Sequence, residues 1–287
     1  MIIINATVVS AECNGGKRMK TRIISGVVAA LAVAGLLLLN SYFRITVIIA
    51  VALLAAIAVY EMLYRTGAVK NKASVIIAMI YVAALQFSYK NLFIDETTLT
   101  VIFVLIIAVI AVVKHSTFDV PQITITVAMP AILGFSFTCI ASLINANTGL
   151  LYFILLFNFA CVTDIGAYFV GSAIGKHKLA PEISPKKTVE GAIGGVVCSM
   201  VGTVIICLVF QAILNKPINI LALTVATPVF SVLGMFGDLF ASVIKRYFGI
   251  KDYGNIMPGH GGVLDRTDSI LIIAPALILF LNLVSVI

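Results

Sequence analysis

Between two long apolar runs, residues 245–269 read KRYFGIKDYGNIMPGHGGVLDRTDS. Lys245, Arg246, Lys251 and Arg266 are cations, and Asp252, Asp265 and Asp268 are carboxylates. Gly259, Gly261 and Gly262 let the backbone approach a ligand closely. Cations interleaved with carboxylates suit a polyanion bound together with a hard divalent ion. Mg²⁺ takes one or two carboxylates plus substrate phosphate oxygens, and the cations hold the remaining phosphate charge. His260 fits three roles: base, hydrogen-bond donor or structural side chain. With no second His or Cys at ligand spacing, zinc is disfavoured. Neither G-x-x-x-x-G-K-[ST] nor G-x-G-x-x-G occurs in this segment, which argues against a P-loop or Rossmann site.

A second polar segment, residues 175–195, reads GKHKLAPEISPKKTVEGAIGG. Its lysines, among them Lys186 and Lys187, attract phosphate as point charges. Ser184, Thr188 and glycine-flanked N–H groups can bond phosphate oxygens. A ligand-free basic loop of a membrane protein would look similar.

The elements that must position these groups are membrane helices. The chain has 287 residues, of which 61% are hydrophobic and 11% charged, against about 25% charged in soluble domains. Apolar stretches of spanning length recur at about 23–40, 45–63, 74–89, 98–113, 121–145, 150–174, 192–213, 219–244 and 269–287. They predict an all-α, polytopic membrane protein of about nine transmembrane helices, with 19–287 as one catalytic unit and 1–18 as a short N-terminal extension. Met19 is a plausible alternative start, and residues 1–18 lack the pattern of a cleaved secretory signal. With the N-terminus inside, the cytoplasmic segments hold sixteen of the 19 Lys and Arg, and only Arg44, Lys90 and Lys216 fall outside. That asymmetry supports a cytoplasmic N-terminus and an odd number of spans. It also accounts for the net charge of +7 without nucleic acid. Cys13, Cys139, Cys161, Cys198 and Cys207 show no metal-ligand spacing, so neither structural zinc nor disulfides are expected.

Glu61, Asp164 and Asp238 fall within or at the ends of these spans, where a carboxylate must be paired, hydrated or metal-bound. Ser231, Gly234, Asp238, Ser242 and Lys245 recur at spacings of three and four, placing them on one helix face that leads to the cytoplasmic segment. Helix packing explains the small residues of that face but not Asp238 or Lys245. Asp164 heads a similar face with Ala167, Gly171 and Gly175, where packing and a polar site weigh equally. Glu61 is expected to snorkel at a helix end or to pair with Arg65 at i+4.

Ser242, Lys245, Arg246, Lys251, Asp252, Gly254, Pro258, His260, Gly261, Gly262, Asp265, Arg266 and Asp268 together resemble, in order and spacing, the signature of the phosphatidate cytidylyltransferases (CDP-diacylglycerol synthases). SPKKTVEG at 184–191, DIGAYFVGSAIGKHK from Asp164 and MKTRIISG from Met19 resemble other blocks of that family. The resemblance runs from Met19 to Ile287. Met257, Thr267 and Val189 depart from the family's usual residues, and the chain lacks Trp; no charged candidate is lost.

The resemblance implies the reaction CTP + phosphatidic acid → CDP-diacylglycerol + pyrophosphate, serving phospholipid biosynthesis. It implies Mg²⁺ dependence with a monovalent cation such as K⁺ sharing the site, and a homodimer in the cell inner (plasma) membrane. By the family motif, Asp238 and Asp265 look like the metal carboxylates. Lys245, Asp252, His260 and Asp268 join them as catalytic candidates. Ser184, Lys186, Lys187, Thr188, Ser242, Arg246, Lys251, Gly261, Gly262 and Arg266 are the substrate-binding candidates. Two rivals are a CTP-dependent polyprenol or lipid kinase, which keeps the nucleotide but changes the acceptor, and a membrane transporter, which shares the membrane-embedded carboxylates but does not require the clustered cytoplasmic signature. A CDP-alcohol phosphotransferase is disfavoured, because no D-G-x-x-A-R block occurs.

Overall fold

The computed structural model describes residues 45–88, 95–256 and 261–286, together with Val28, Leu31 and Gly35. Apart from those three residues the predicted first span lies outside the described residues, as do the N-terminal extension and His260.

Among the described residues eight helices follow one another: α1 (Ile45–Arg65), α2 (Lys72–Ser88), α3 (Glu96–Val113), α4 (Val120–Ile144), α5 (Gly149–Ile174), α6 (Val189–Leu214), α7 (Ile220–Tyr247) and α8 (Leu264–Leu283). Each falls on an apolar run expected from the sequence. Among the described residues six are long and apolar enough to cross a membrane; α2, at 17 residues, is shorter. The chain is a multi-pass membrane protein.

Polar residues stop and start the helices. Asp95, Asp119, Thr188 and Asn219 each accept a backbone N–H of the following first turn, capping α3, α4, α6 and α7. Asn215, at φ 50°, ends α6 in the left-handed conformation. Among the described residues π-helical turns occur at Glu61–Arg65, at the end of α1, and at Asn158–Val162, within α5.

The helices α1, α2 and α4 pack on one another, α3 flanks α2 and α4, and α8 joins this group through α4. On the other side α5 packs on α6, α6 on α7 and α7 on α8. Lipid tails are as apolar as leucine, so close approach and internal hydrogen bonds must hold such helices together. Both are present. A Cβ at Gly166 would lie 2.8 Å from Cys198 Cβ, so α5 and α6 meet almost backbone to backbone. Asn158 Nδ2 donates across to Ser199 O at 3.0 Å, Ser199 Oγ at 3.1 Å and Thr203 Oγ1 at 3.0 Å, and Thr203 pairs with Thr227 of α7 at 2.9 Å. The outward face of α6, with Ile193, Val197, Val201, Ile205 and Leu208, is exposed and apolar, as a lipid-facing surface must be.

One segment departs from a purely helical reading. The polar stretch between α5 and α6 forms an antiparallel hairpin of β1 (Lys178–Ala180) and β2 (Ser184–Thr188), with Lys178 opposite Thr188 and Ala180 opposite Ser184.

Candidate active site

The C-terminal part of α7 and the first turn of α8 meet at Gly237, where a Cβ would lie 2.8 Å from the Asp268 carbonyl oxygen and 3.1 Å from Ser269 Cα. This contact sets Asp238 of α7 beside Asp268 of α8. One helical stretch further along α7, Lys245 reaches Asp265: Nζ donates to Oδ1 at 2.9 Å. The other carboxylate oxygen accepts the N–H groups of Tyr253 at 2.8 Å and Gly262 at 3.0 Å. Gly261, at φ 88°, supplies the left-handed turn that aims the Gly262 N–H. The pair is well enclosed, with the Lys245 side chain 12% and the Asp265 side chain 4% exposed. Tyr253 closes it from below: its ring centroid lies 5.4 Å from Lys245 Nζ and its hydroxyl donates to the Ala241 carbonyl at 3.1 Å. Burial, with Asp265 and Asp268 nearby, pushes the Tyr253 phenol well above its usual range, so it stays a donor.

The hairpin roofs the same space. From β2, Lys187 Nζ lies 2.6 Å from Asp238 Oδ2. Thr188 Oγ1 accepts the Gly191 N–H at 3.2 Å, and Gly171 and Gly175 crowd the same hydroxyl so closely that neither could carry a side chain unmoved. Glu190 fixes the start of the hairpin: it accepts the N–H groups of Lys176 at 3.1 Å and His177 at 3.2 Å, and contacts His177 Nδ1 at 2.6 Å.

Together these parts enclose a cavity of about 480 Å³. Of the sequence-derived candidates, Asp238, Lys245, Asp252, Asp265, Arg266 and Asp268 line it, as do Ser184, Lys186, Lys187 and Thr188. Gly261 and Gly262 support Asp265 from behind. Ser242, Arg246 and Lys251 do not line the cavity; the last two are exposed. Asp164 does line it, which favours the polar reading of its helix face over packing alone, and Tyr168 and Leu179 add apolar rim. Two aspartates each face a lysine, so the cavity presents alternating charge near helix ends.

Among the described residues no three His, Cys, Asp or Glu side chains converge into a cage for a metal ion. The carboxylates Asp238, Asp265 and Asp268 at the cavity fit Mg²⁺, which needs one or two carboxylates and takes the rest from phosphate and water.

Two residues were not placed by sequence reasoning. Tyr253 gave no signal beyond lying in the polar segment. Glu61 differs from expectation: it does not snorkel, and its carboxylate oxygens take backbone N–H groups instead of an ion pair with Arg65. It is 1% exposed and accepts the N–H groups of Val263 at 3.1 Å and Leu264 at 2.9 Å. Those partners lie more than two hundred positions away, and no local pattern could reveal them.

The family model described as "Cytidylyltransferase family" matches residues 20–284. The phosphatidate cytidylyltransferase of Bacillus subtilis (strain 168) is 33% identical over 277 residues, covering 93% of this chain and 99% of that protein. A phosphatidate cytidylyltransferase of Staphylococcus epidermidis is 47% identical over 131 residues, 46% of this chain and 49% of that protein. One of Staphylococcus haemolyticus is 46% identical over 131 residues, with the same coverage. A match across nearly the whole chain, with the charged cavity where the signature residues fall, means that the chain belongs to the cytidylyltransferase family.

Proposed function

We propose that this protein is a phosphatidate cytidylyltransferase, converting CTP and phosphatidic acid to CDP-diacylglycerol and pyrophosphate. The observation that carries the reading is the pairing of Lys187 with Asp238 and Lys245 with Asp265 around one cavity.

The chemistry needs little from a protein base. A phosphate monoester has a second pKa near 6 and is largely ionised at neutral pH. Its oxygen attacks the α-phosphorus of CTP; the new P–O bond forms as the bond to pyrophosphate breaks. The obstacle is bringing two polyanions together in line, so catalysis is mostly positioning and electrostatics. Lys186, Lys187, Lys245 and Arg266 line the cavity and supply cationic contacts to the triphosphate and the lipid phosphate. Asp238 and Asp265 would hold Mg²⁺, with Asp268 adjacent. When bound, the ion neutralises phosphate charge and orients the α-phosphate. Tyr168 and Leu179 on the rim give the acyl chains an apolar approach. K⁺ sharing the site and a homodimer complete the proposal.

The charge asymmetry of the loops supports nine spans, a cytoplasmic N-terminus and a cavity open to the cytoplasm. In a bacterial cell that membrane is the plasma membrane.

The test is purified protein in detergent with phosphatidic acid, Mg²⁺ and α-labelled CTP. Label should enter lipid, vanish with a chelator and return with Mg²⁺. Phospholipid plus labelled CDP would instead mark a lipid kinase. Absence of any product from CTP, with flux in liposomes, would mark a transporter.

A further inference from the structure

We propose that Glu61, on α1 and outside the cavity, is a positioning residue for cytidylyl transfer: it fixes the first turn of α8 and so the placement of Asp265 and Asp268. The inference rests on the functional reading above.

A helix start leaves N–H groups without intrahelical partners. At α8 the residue before the helix, Val263, is itself helical and provides no side-chain cap. The caps of α3, α4, α6 and α7 come from the residue that opens each helix. At α8 the acceptor comes from another helix: both oxygens of Glu61 are used, one by Val263 and one by Leu264. A carboxylate at this end also complements the helix dipole.

The surroundings are built to the same purpose. Gly254 and Gly262 pack so tightly on the Glu61 carboxylate that a Cβ at either position would collide with it. Gly262 therefore serves twice. Its Cα walls the Glu61 carboxylate, and its N–H donates to Asp265. Three consecutive N–H groups, of Gly262, Val263 and Leu264, are thus shared between a carboxylate on the cavity and one behind it. Glu61 itself sits in the π-helical turn that ends α1, a local geometry frequent at functional sites. Because Asp265 follows Leu264 directly, any shift of that turn moves Asp265 relative to Lys245 and Asp268 relative to Asp238. A misplacement of about 1 Å can lower turnover about 10²-fold.

A brace that only held the fold would lower stability and leave the turnover of folded molecules unchanged. Two variants separate the roles. Glu61→Gln keeps the shape but turns an N–H₂ donor toward one of the two N–H groups. Glu61→Asp keeps both acceptors and retracts them by one methylene. For each, kcat, the KM for CTP and the melting temperature are measured on purified, monodisperse protein in detergent. The expected result is a fall of about 10²-fold in kcat for Glu61→Gln and a smaller fall for Glu61→Asp, with KM for CTP within about threefold of wild type. Unchanged kcat per folded enzyme in both variants overturns the proposal, as does recovery of both only in unfolded form, since either result leaves Glu61 a structural brace. If wild-type protein forms no labelled lipid, the functional reading fails first, and the inference with it.

Discussion

Asp265→Asn is the sharpest perturbation the site offers, because the carboxylate has three partners and the amide cannot serve all of them. One oxygen takes Lys245 Nζ at 2.9 Å; the other takes the Tyr253 and Gly262 N–H groups at 2.8 and 3.0 Å. Asparagine offers one carbonyl and one N–H₂. If the carbonyl faces the two N–H groups, the N–H₂ faces the Lys245 ammonium. If it turns around, the N–H₂ faces two N–H groups. Removing one partner of a buried ion pair costs about 3–5 kcal/mol. The Tyr253 ring, 5.4 Å from Nζ, remains to the lysine and offsets about 0.5–2 kcal/mol of that. The variant should therefore lose about 1–4.5 kcal/mol of stability and melt lower in detergent. Turnover of the folded fraction, read as α-label entering lipid, should fall about 10³-fold, equivalent to about 4 kcal/mol of transition-state stabilisation. The double variant Lys245→Met with Asp265→Asn tests the separation. With no buried ammonium left unpaired, it should recover much of the melting temperature and none of the activity. Turnover of folded Asp265→Asn within tenfold of wild type, on the scale of about 1.4 kcal/mol per decade, would refute the assignment of Asp265 to the reaction.

Two further outcomes follow from the hairpin. The Lys187–Asp238 pair is only partly open, 22% and 29% exposed, so Lys187→Met should lower the melting temperature less than Asp265→Asn does; loss of a cavity cation should still cut kcat/KM for CTP at least about tenfold, and wild-type kinetics would remove Lys187 from the site. Glu190→Gln should leave the melting temperature in place, because His177 is 79% exposed and the contact lies at the surface. It should nevertheless loosen the start of the hairpin, seen as faster tryptic cleavage among Lys176, Lys178 and Lys186; an unchanged digestion rate would show that Glu190 does not hold it.

The helices were legible because lipid demands long apolar runs, and each described run became a helix. Their starts were less so. The run that becomes α8 starts, by hydropathy, at residue 269, yet the helix begins at Leu264. Asp265, Arg266 and Asp268 hid the first turn, since their charges face a polar cavity and not lipid. The same error moved the start of α6 from Val189 to 192. The β hairpin escaped notice because SPKKT lacks the alternation that marks a strand, and its pairing depends on Glu190 gripping the backbone of Lys176 and His177. Asp238 and Lys245 could be assigned to one face from spacing alone, whereas the hold of Glu61 on α8 depends on a tertiary contact that no spacing encodes.

The seam around Asn158 bears on how the protein assembles. Its amide nitrogen meets three acceptors on α6 across an otherwise apolar contact, and Thr203 passes the linkage on to α7. Individually such bonds add only about 0.6 kcal/mol inside a membrane, so they are weak as glue. Their effect lies in discrimination. Once inserted, helices can slide and rotate against each other with little change in apolar contact. A slip of one residue would swing the amide about 100° around the helix and leave its donors in hydrocarbon, at several kcal/mol. The seam thus disfavours misdocked arrangements of these helices more than it strengthens the correct one. The hairpin between α5 and α6 and the Asp238 carboxylate of α7 are held in register by the same docking.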